Sequence, residues 1–129
     1  MTSDLWALVA AILLAVAQLT ISSVLTLIQL GGEWVAGPRD TPREATGVGG
    51  RFVRAHRNLL EIFPQFAAAL FVVHAAQAAD SLTHIGAWTF VVARFLYVPA
   101  YAFAPPGVRP VCWLAAWAGI VAIVADLFW

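Results

Sequence analysis

The chain has 129 residues, of which 62% are hydrophobic and only 11% are charged, whereas soluble domains average about 25% charged residues. This composition excludes an ordinary soluble domain and indicates an integral membrane protein with the lipid bilayer as its main partner. The net charge is zero, so the chain lacks the positive charge that nucleic-acid binding requires, and its single cysteine, Cys112, excludes an internal disulfide.

Four segments are long and apolar enough to cross a membrane, which takes about 20 residues of helix. The first, from Leu5 to Leu30, carries no charge. It lacks a basic start and follows Asp4, so we expect a retained span rather than a cleaved signal peptide. The predicted helices cover residues 4–31, 49–79, 82–104 and 108–128.

The connections between these predicted helices differ in length and composition. Residues 31–50 form a polar loop rich in Gly, Pro and Arg, whereas residues 79–81 and 104–107 form tight turns. Short connections favour antiparallel neighbours. Residues 1–129 therefore predict one all-α integral membrane domain, an up-down bundle of four transmembrane helices.

The basic residues predict the orientation of this bundle, because loops rich in arginine stay in the cytoplasm. All seven basic residues are arginines, and five of them lie in the first loop and at the start of the second predicted helix. Arg109 lies in the third connection. We therefore expect the first and third connections in the cytoplasm and both termini on the other side, in the inner membrane if the cell is bacterial.

A polar stripe runs along one face of the second predicted helix. Arg54, Asn58, Glu61 and Gln65 are spaced by three or four residues, so they share that face, and Arg57 flanks it. Polar side chains that enter lipid must face protein, water or a ligand. We therefore expect the functional site on this face.

Two further helices bring polar side chains to the same depth near the cytoplasmic surface. On the third helix Arg94, Tyr97 and Tyr101 share one face, and Arg109 begins the fourth helix. The rise per residue places six side chains at one level: Arg57, Asn58, Glu61, Tyr97, Tyr101 and Arg109.

Arg94 lies deeper than this cluster, near the centre of the bilayer. An arginine at that depth costs about 2.5–3.5 kcal/mol on insertion scales, so it needs a partner. Glu61 and Gln65 are the acid and the amide nearest its depth. We expect Arg94 to pair with them, in a structural rather than a catalytic role.

Several of these residues also have plainer interpretations. Arg39, Arg43 and Arg51 are typical of a topology signal that reaches toward lipid headgroups. Tyr97 and Tyr101 are also typical of the aromatic belt at a membrane surface, or of a core pair. Arginine, amide and acid follow one another on the second helix as Arg57, Asn58 and Glu61. Lipid anchoring explains this triplet less well, because anchoring does not require an acid one turn deeper.

Other titratable residues suggest no chemistry. His56 and His74 point away from the polar stripe, and their spacing with no Cys or acid cluster predicts no metal site. Cys112 lies in an apolar run and is expected to be a core or lipid-facing residue. Asp126 is expected at an exposed helix end.

A site with several arginines, one acid, one amide and two phenols suits a small zwitterionic ligand. Arginine binds carboxylates through paired hydrogen bonds, and a glutamate accepts from an ammonium group. Glutathione carries two carboxylates, one ammonium and a thiol, and it is a cytoplasmic molecule. A guanidinium or a phenol near its sulfur would favour the thiolate, the reactive form of a thiol.

The polar segments resemble the signature of the MAPEG proteins, membrane-associated proteins in eicosanoid and glutathione metabolism. The resemblance lies in RAHRNLLEIFP at residues 54–64, RFLYVPAY at residues 94–101 and VRP at residues 108–110. Chain length, four spans and a long first loop agree with that family. The resemblance implies a homotrimer of four-helix subunits, with three glutathione sites between neighbouring subunits near the cytoplasmic face.

The resemblance also implies roles for single residues. Arg109 would lie at the thiol as the catalytic residue, and Arg54 would be a structural arginine of the motif. Gln65 and Arg94 are expected to be structural polar residues on the grounds of depth given above, independently of the resemblance. The residues implied to bind glutathione are Arg57, Asn58, Glu61 and Tyr101. Tyr97, which shares a helix face with Tyr101 and stands where eukaryotic members can have histidine, is expected to join them.

These observations predict a glutathione-dependent membrane transferase or peroxidase that acts on small apolar electrophiles, with glutathione as co-substrate. A non-catalytic family member is the first alternative, because the stretch from Gln29 to Trp34 has no arginine where related enzymes often carry one, and Pro110 stands where some have serine. A small proton-coupled multidrug exporter is the second alternative. Its essential acid would be expected on the first helix, which is uncharged from Leu5 to Leu30.

Overall fold

The computed structural model describes residues 1–103 and 105–128, and these residues form helices and connections without a β-strand. The helices are α1 Ser3–Leu30, α2 Gly32–Ala36, α3 Gly47–Ala75, α4 Ser81–Phe103 and α5 Val108–Ala125, followed by a 3-10 helix, Asp126–Phe128. Four of them, α1, α3, α4 and α5 with its 3-10 extension, are long and apolar enough to cross a membrane. The prediction of an all-α membrane protein with four long apolar helices is confirmed for the described residues.

Some helix boundaries differ from the expected ones. α3 ends at Ala75 rather than near residue 79, because Gln77 adopts a φ of 55°, which ends a right-handed helix. The short helix α2 lies inside the predicted loop, and a helix of five residues is too short to leave a periodic pattern in the sequence. The expected end of the third helix at residue 104 lies outside the described residues.

Contacts between helix ends show that successive long helices run antiparallel. Near the end of α1, the side chain of Gln29 exchanges two hydrogen bonds, of 3.1 and 2.9 Å, with the backbone of Thr46 just before α3. In the first turn of α3, Arg51 Nη1 donates to the carbonyl oxygen of Ala102 in the last turn of α4, at 2.8 Å. The N-terminal end of α3 therefore meets the C-terminal ends of α1 and α4.

Asp126 joins the end of α5 to the beginning of α4. Its Oδ2 accepts hydrogen bonds from Thr83 N at 2.7 Å, Thr83 Oγ1 at 2.6 Å and Asp80 N at 3.1 Å. The first backbone N–H groups of a helix have no partner within the helix, so a carboxylate stabilises them. Asp126 does lie at a helix end and is partly exposed there, and the sequence did not predict that it also caps a neighbouring helix.

Most of the buried core residues lie on α3 and α4. Phe66 and Phe90 are completely buried and stack with their ring centroids 3.9 Å apart. α1 packs against them through small residues, and both Ala7 and Ala11 are buried. Because lipid is as apolar as the core, membrane helices associate through close packing, which small residues permit.

α4 and α5 approach each other most closely where Gly86 faces Gly119. A Cβ atom on either glycine would lie 2.5 Å from the carbonyl oxygen of the other. Only glycine allows two helix backbones to come this close. This crossing sets the distance between the two helices that carry the tyrosines and Arg109.

A buried acidic group lies at the end of the bundle where α1 begins. Asp4 is completely buried, contacts Nε2 of His74 on α3, and places its Oδ1 3.0 Å from Nδ1 of His84 on α4. A buried carboxylate is costly without such partners. The group therefore ties the beginning of α1 to the two central helices.

Large apolar side chains cover the outside of the bundle. Leu13, Phe71 and Phe95 are each more than half exposed. In water this surface would be unfavourable, whereas the acyl chains of a bilayer accept it.

Candidate functional site

A cavity of about 480 Å³ opens at the end of the bundle where α3 and α5 begin and α4 ends. Polar and apolar groups contribute about equally to its lining. The described residues that line it are Arg54, Arg57, Asn58, Glu61, Tyr97, Tyr101, Arg109, Pro110 and Trp113.

The structure places the expected ligand-binding residues together. Arg57, Asn58 and Glu61 lie on successive turns of α3, while Tyr97 and Tyr101 lie one turn apart on α4. Arg109 completes this set from the first turn of α5. Because α3 and α5 begin at the end where α4 finishes, residues far apart in the sequence reach the same level.

Tyr101 lies between two arginines. Arg54 Nε donates a hydrogen bond to the Tyr101 hydroxyl at 3.2 Å. On the ring, Arg109 Cζ lies 5.0 Å from the centroid, within the range of a cation–π interaction. The phenol therefore holds the side chains of α3 and α5 on either side of the cavity.

Arg94 does not line the cavity but contacts Asn58, which does. Its guanidinium is almost completely buried and donates from Nη1 and Nη2 to Oδ1 of Asn58, at 3.1 and 3.0 Å. Asn58 Nδ2 in turn donates to Glu61 Oε2 at 3.2 Å. Arg94 also stacks on Tyr97, with Cζ 4.4 Å from the ring centroid.

The prediction that Arg94 pairs directly with Glu61 and Gln65 was therefore wrong. Glu61 and Gln65 were the nearest candidates by depth, but the guanidinium binds Asn58. A long arginine side chain can bend along the bundle, so its partner need not be the polar residue nearest in depth to its own Cα. Gln65 is exposed on the surface of the single chain and does not line the cavity.

Two contacts in this part of the molecule were not predicted from the sequence. Trp113 lines the cavity one turn after Arg109, and the spacing of four residues on a helix could have revealed it. Arg51 was interpreted as a headgroup contact, but it donates to the carbonyl of Ala102 and so holds the end of α4 against the beginning of α3. A bond to a backbone oxygen on another helix leaves no signal in the sequence.

The charges of the lining define what the cavity can bind. Three guanidinium groups and one carboxylate line it, so its formal charge is positive. Guanidinium groups bind carboxylates, and the acid and amide on α3 can accept and donate hydrogen bonds to an ammonium or amide group. The arrangement suits a small ligand with more negative than positive groups.

A larger groove of about 680 Å³ lies elsewhere, between α4 and α5. Its lining is almost entirely apolar and includes Trp88, Leu96 and Cys112. The position of Cys112 agrees with the expectation of a core or lipid-facing residue. The described residues that line this groove include neither an arginine nor a carboxylate, so the polar cavity is the candidate site.

The fold and the cavity define a multi-pass membrane protein with a polar, positively charged pocket at one end of a four-helix bundle. The model of the MAPEG family matches residues 5–129, which is essentially the whole chain, so this protein belongs to the MAPEG family. No curated protein and no solved structure matches the chain.

Proposed function

We propose that the protein is a glutathione-dependent transferase, with peroxidase activity, that acts on small apolar electrophiles dissolved in the membrane. The observation that carries this proposal is the convergence of three arginines, a glutamate, an asparagine and two tyrosines on one cavity. Family membership supports glutathione as the ligand.

Each end of glutathione has a matching group in the cavity. The carboxylates bind guanidinium groups, among them Arg57, while the ammonium group binds Glu61. Arg109 lies beside Tyr101 and stabilises the thiolate, so it is the proposed catalytic residue. The thiolate sulfur then forms a bond to the electrophilic carbon of the substrate, and the leaving group departs with the electron pair of the broken bond.

We further propose that the protein acts as a homotrimer with sites between subunits. Arg57, Glu61 and Gln65 are exposed on one face of α3 in the single chain. Polar side chains within a membrane-spanning helix need cover other than lipid. A neighbouring subunit would provide that cover and would enclose the bound glutathione.

Titration calorimetry of the detergent-purified protein with glutathione tests the proposal. We expect saturable binding in the micromolar to millimolar range. Glu61→Gln and Arg57→Ala should each weaken it about tenfold or more, because a hydrogen bond to a charged group contributes about 1.5–3 kcal/mol.

Arg43→Gln is the matched control, since Arg43 is an exposed loop arginine outside the cavity. It should bind like the wild type. Absence of heat from wild-type protein at millimolar glutathione would contradict the proposal.

A non-catalytic member of the family is the second candidate. Pro110, which lines the cavity next to Arg109, has neither a hydroxyl nor an N–H group to offer a thiol. Gln29 lies in the stretch at the end of α1 where related enzymes often carry an arginine. Both ends of its amide bond to Thr46, so this side chain is already occupied. Glutathione binding without turnover of any apolar electrophile or hydroperoxide would favour this candidate over the enzyme.

A further inference from the structure

The buried guanidinium of Arg94 holds Asn58, but Arg94 itself does not reach the cavity where a ligand would bind. Arg94 is 1% exposed and does not line the cavity, yet both of its terminal nitrogens donate to Asn58 Oδ1. Tyr97 supports the guanidinium from one side. Burying this charge is costly, so its contact with Asn58 needs a reason beyond filling space.

The contact determines which way the Asn58 amide faces. An amide has an accepting oxygen at one end and a donating nitrogen at the other. Two charged donors hold the oxygen, so the nitrogen turns toward Glu61 and donates to Oε2 at 3.2 Å. The opposite orientation would place the NH2 group against a guanidinium and the oxygen against a carboxylate, and both contacts would be repulsive.

This orientation also fixes the position of Glu61. One carboxylate oxygen accepts from Asn58, while Oε1 has no hydrogen-bond partner among residues 1–103 and 105–128. The free oxygen is the group that can accept from a ligand N–H. Arg94, Asn58 and Glu61 thus form a chain in which each member orients the next.

We propose that Arg94 is a positioning residue that orients Asn58 and, through it, the Glu61 carboxylate that recognises the ammonium group of the ligand. This inference rests on the proposed function for the identity of the ligand. In this role, Arg94 determines how strongly the cavity prefers a ligand with a free ammonium group over the same ligand with an acylated nitrogen.

The orientation itself can be tested without any ligand. Asn58 is the single asparagine of the chain, so labelling with ¹⁵N-asparagine gives one pair of side-chain NH2 resonances in the detergent-solubilised protein. In the wild type we expect two separate resonances with slowed hydrogen exchange. In Arg94→Gln both resonances should shift and exchange faster, whereas Arg94→Lys, which keeps a charge and a donor, should restore part of the wild-type pattern.

Arg109→Gln is the matched control for this experiment, because Arg109 lines the same cavity without a hydrogen bond to Asn58. It should change the resonances less than Arg94→Gln does. If Arg94→Gln does not fold, Arg94→Lys carries the comparison, since a single-point donor should still alter the shifts. Unchanged Asn58 resonances in the folded Arg94 variants, or equal changes in Arg109→Gln, would overturn the positioning role.

Selectivity is then measured by titration with glutathione and with N-acetylglutathione. Wild type should prefer glutathione, and Arg94→Gln should reduce this preference about tenfold, because the Glu61 carboxylate loses its fixed orientation. Arg94→Lys should reduce the preference less, and in both variants the affinity for the acetylated probe should stay nearly constant. Equal loss of affinity for both ligands would contradict the inference. A wild-type protein that binds neither ligand would contradict the proposed function and the selectivity role, and the labelling experiment would still decide the orientation of Asn58.

Discussion

At the scale of single residues, Tyr101 has two separable contacts. Its hydroxyl accepts from Arg54 Nε, and its ring lies under Arg109, with Cζ 5.0 Å from the centroid. A cation–π contact contributes about 0.5–2 kcal/mol, depending on how far water is excluded. The hydroxyl therefore orients the arginine of α3, while the ring orients the proposed catalytic arginine of α5.

Substitutions at Tyr101 should separate these two contacts. Tyr101→Phe keeps the ring and loses one hydrogen bond, so we expect glutathione affinity to fall about threefold to tenfold with thiolate formation preserved. Tyr101→Leu also removes the aromatic face, so the bound thiolate should decrease as well. Calorimetry measures the first effect and the ultraviolet absorbance of the bound thiolate the second. Identical behaviour of the two variants would show that the ring has no separate effect on Arg109.

At the scale of helices, the cavity depends on how closely α4 and α5 pack. These helices carry the tyrosines and Arg109, and their spacing is set far from the cavity, where Gly86 meets Gly119. Helices are stiff, so a change of spacing at this crossing also moves the ends that form the site. The shape of the cavity therefore depends on the contact between Gly86 and Gly119, which lies far from any bound ligand.

Gly119→Ala should therefore destabilise the protein and weaken glutathione binding. The new Cβ would lie 2.5 Å from the carbonyl oxygen of Gly86 and 2.9 Å from Phe90 N, and the backbones would have to separate. Overpacking of this kind costs about 1–3 kcal/mol, which exceeds the gain of about 1 kcal/mol from replacing a helical glycine by alanine.

Gly32→Ala is the matched control for this substitution, because a Cβ there meets only a Leu27 side-chain atom at 3.9 Å. Its thermal unfolding midpoint in detergent should equal or exceed that of the wild type. A Gly119→Ala protein as stable as Gly32→Ala would show that the two backbones are not in close contact.

At the scale of the whole molecule, arginines and polar groups are distributed unevenly between the two ends of the bundle. The cavity end holds the guanidinium groups that line the site, whereas the other end holds Asp4 with His74 and His84, and Asp126 with Thr83. Arginine-rich loops remain in the cytoplasm. The cavity should therefore face the cytoplasm, where glutathione is available.

Reporter fusions test this orientation. A reporter that is active only in the cytoplasm should be inactive when fused after Trp129, and active when the chain is truncated and fused after Ala45 in the first loop. The two fusions control for each other, because the same reporter is placed on opposite sides of the membrane. Activity of the Trp129 fusion would reverse the predicted topology and place the cavity on the non-cytoplasmic side.

The sequence by itself determined the four spans and the faces of the polar residues. Composition reveals a membrane span because lipid excludes charge, and a helix has a fixed period, so spacing places Arg54, Asn58 and Glu61 on one side of α3. The antiparallel order of the last three long helices follows from the short connections between them. These features allowed the polar residues that line the cavity, apart from Arg54 and Trp113, to be placed at one level.

Only the tertiary structure decided which groups bond to each other. Arg94 binds Asn58 rather than Glu61, Asp126 caps α4, and Arg51 bonds to a backbone oxygen on another helix. The rise per residue fixes the height of a Cα atom but neither the register between neighbouring helices nor the direction in which a long side chain bends. Hydrogen-bond partners depend on both, so they become known only once the helices are packed.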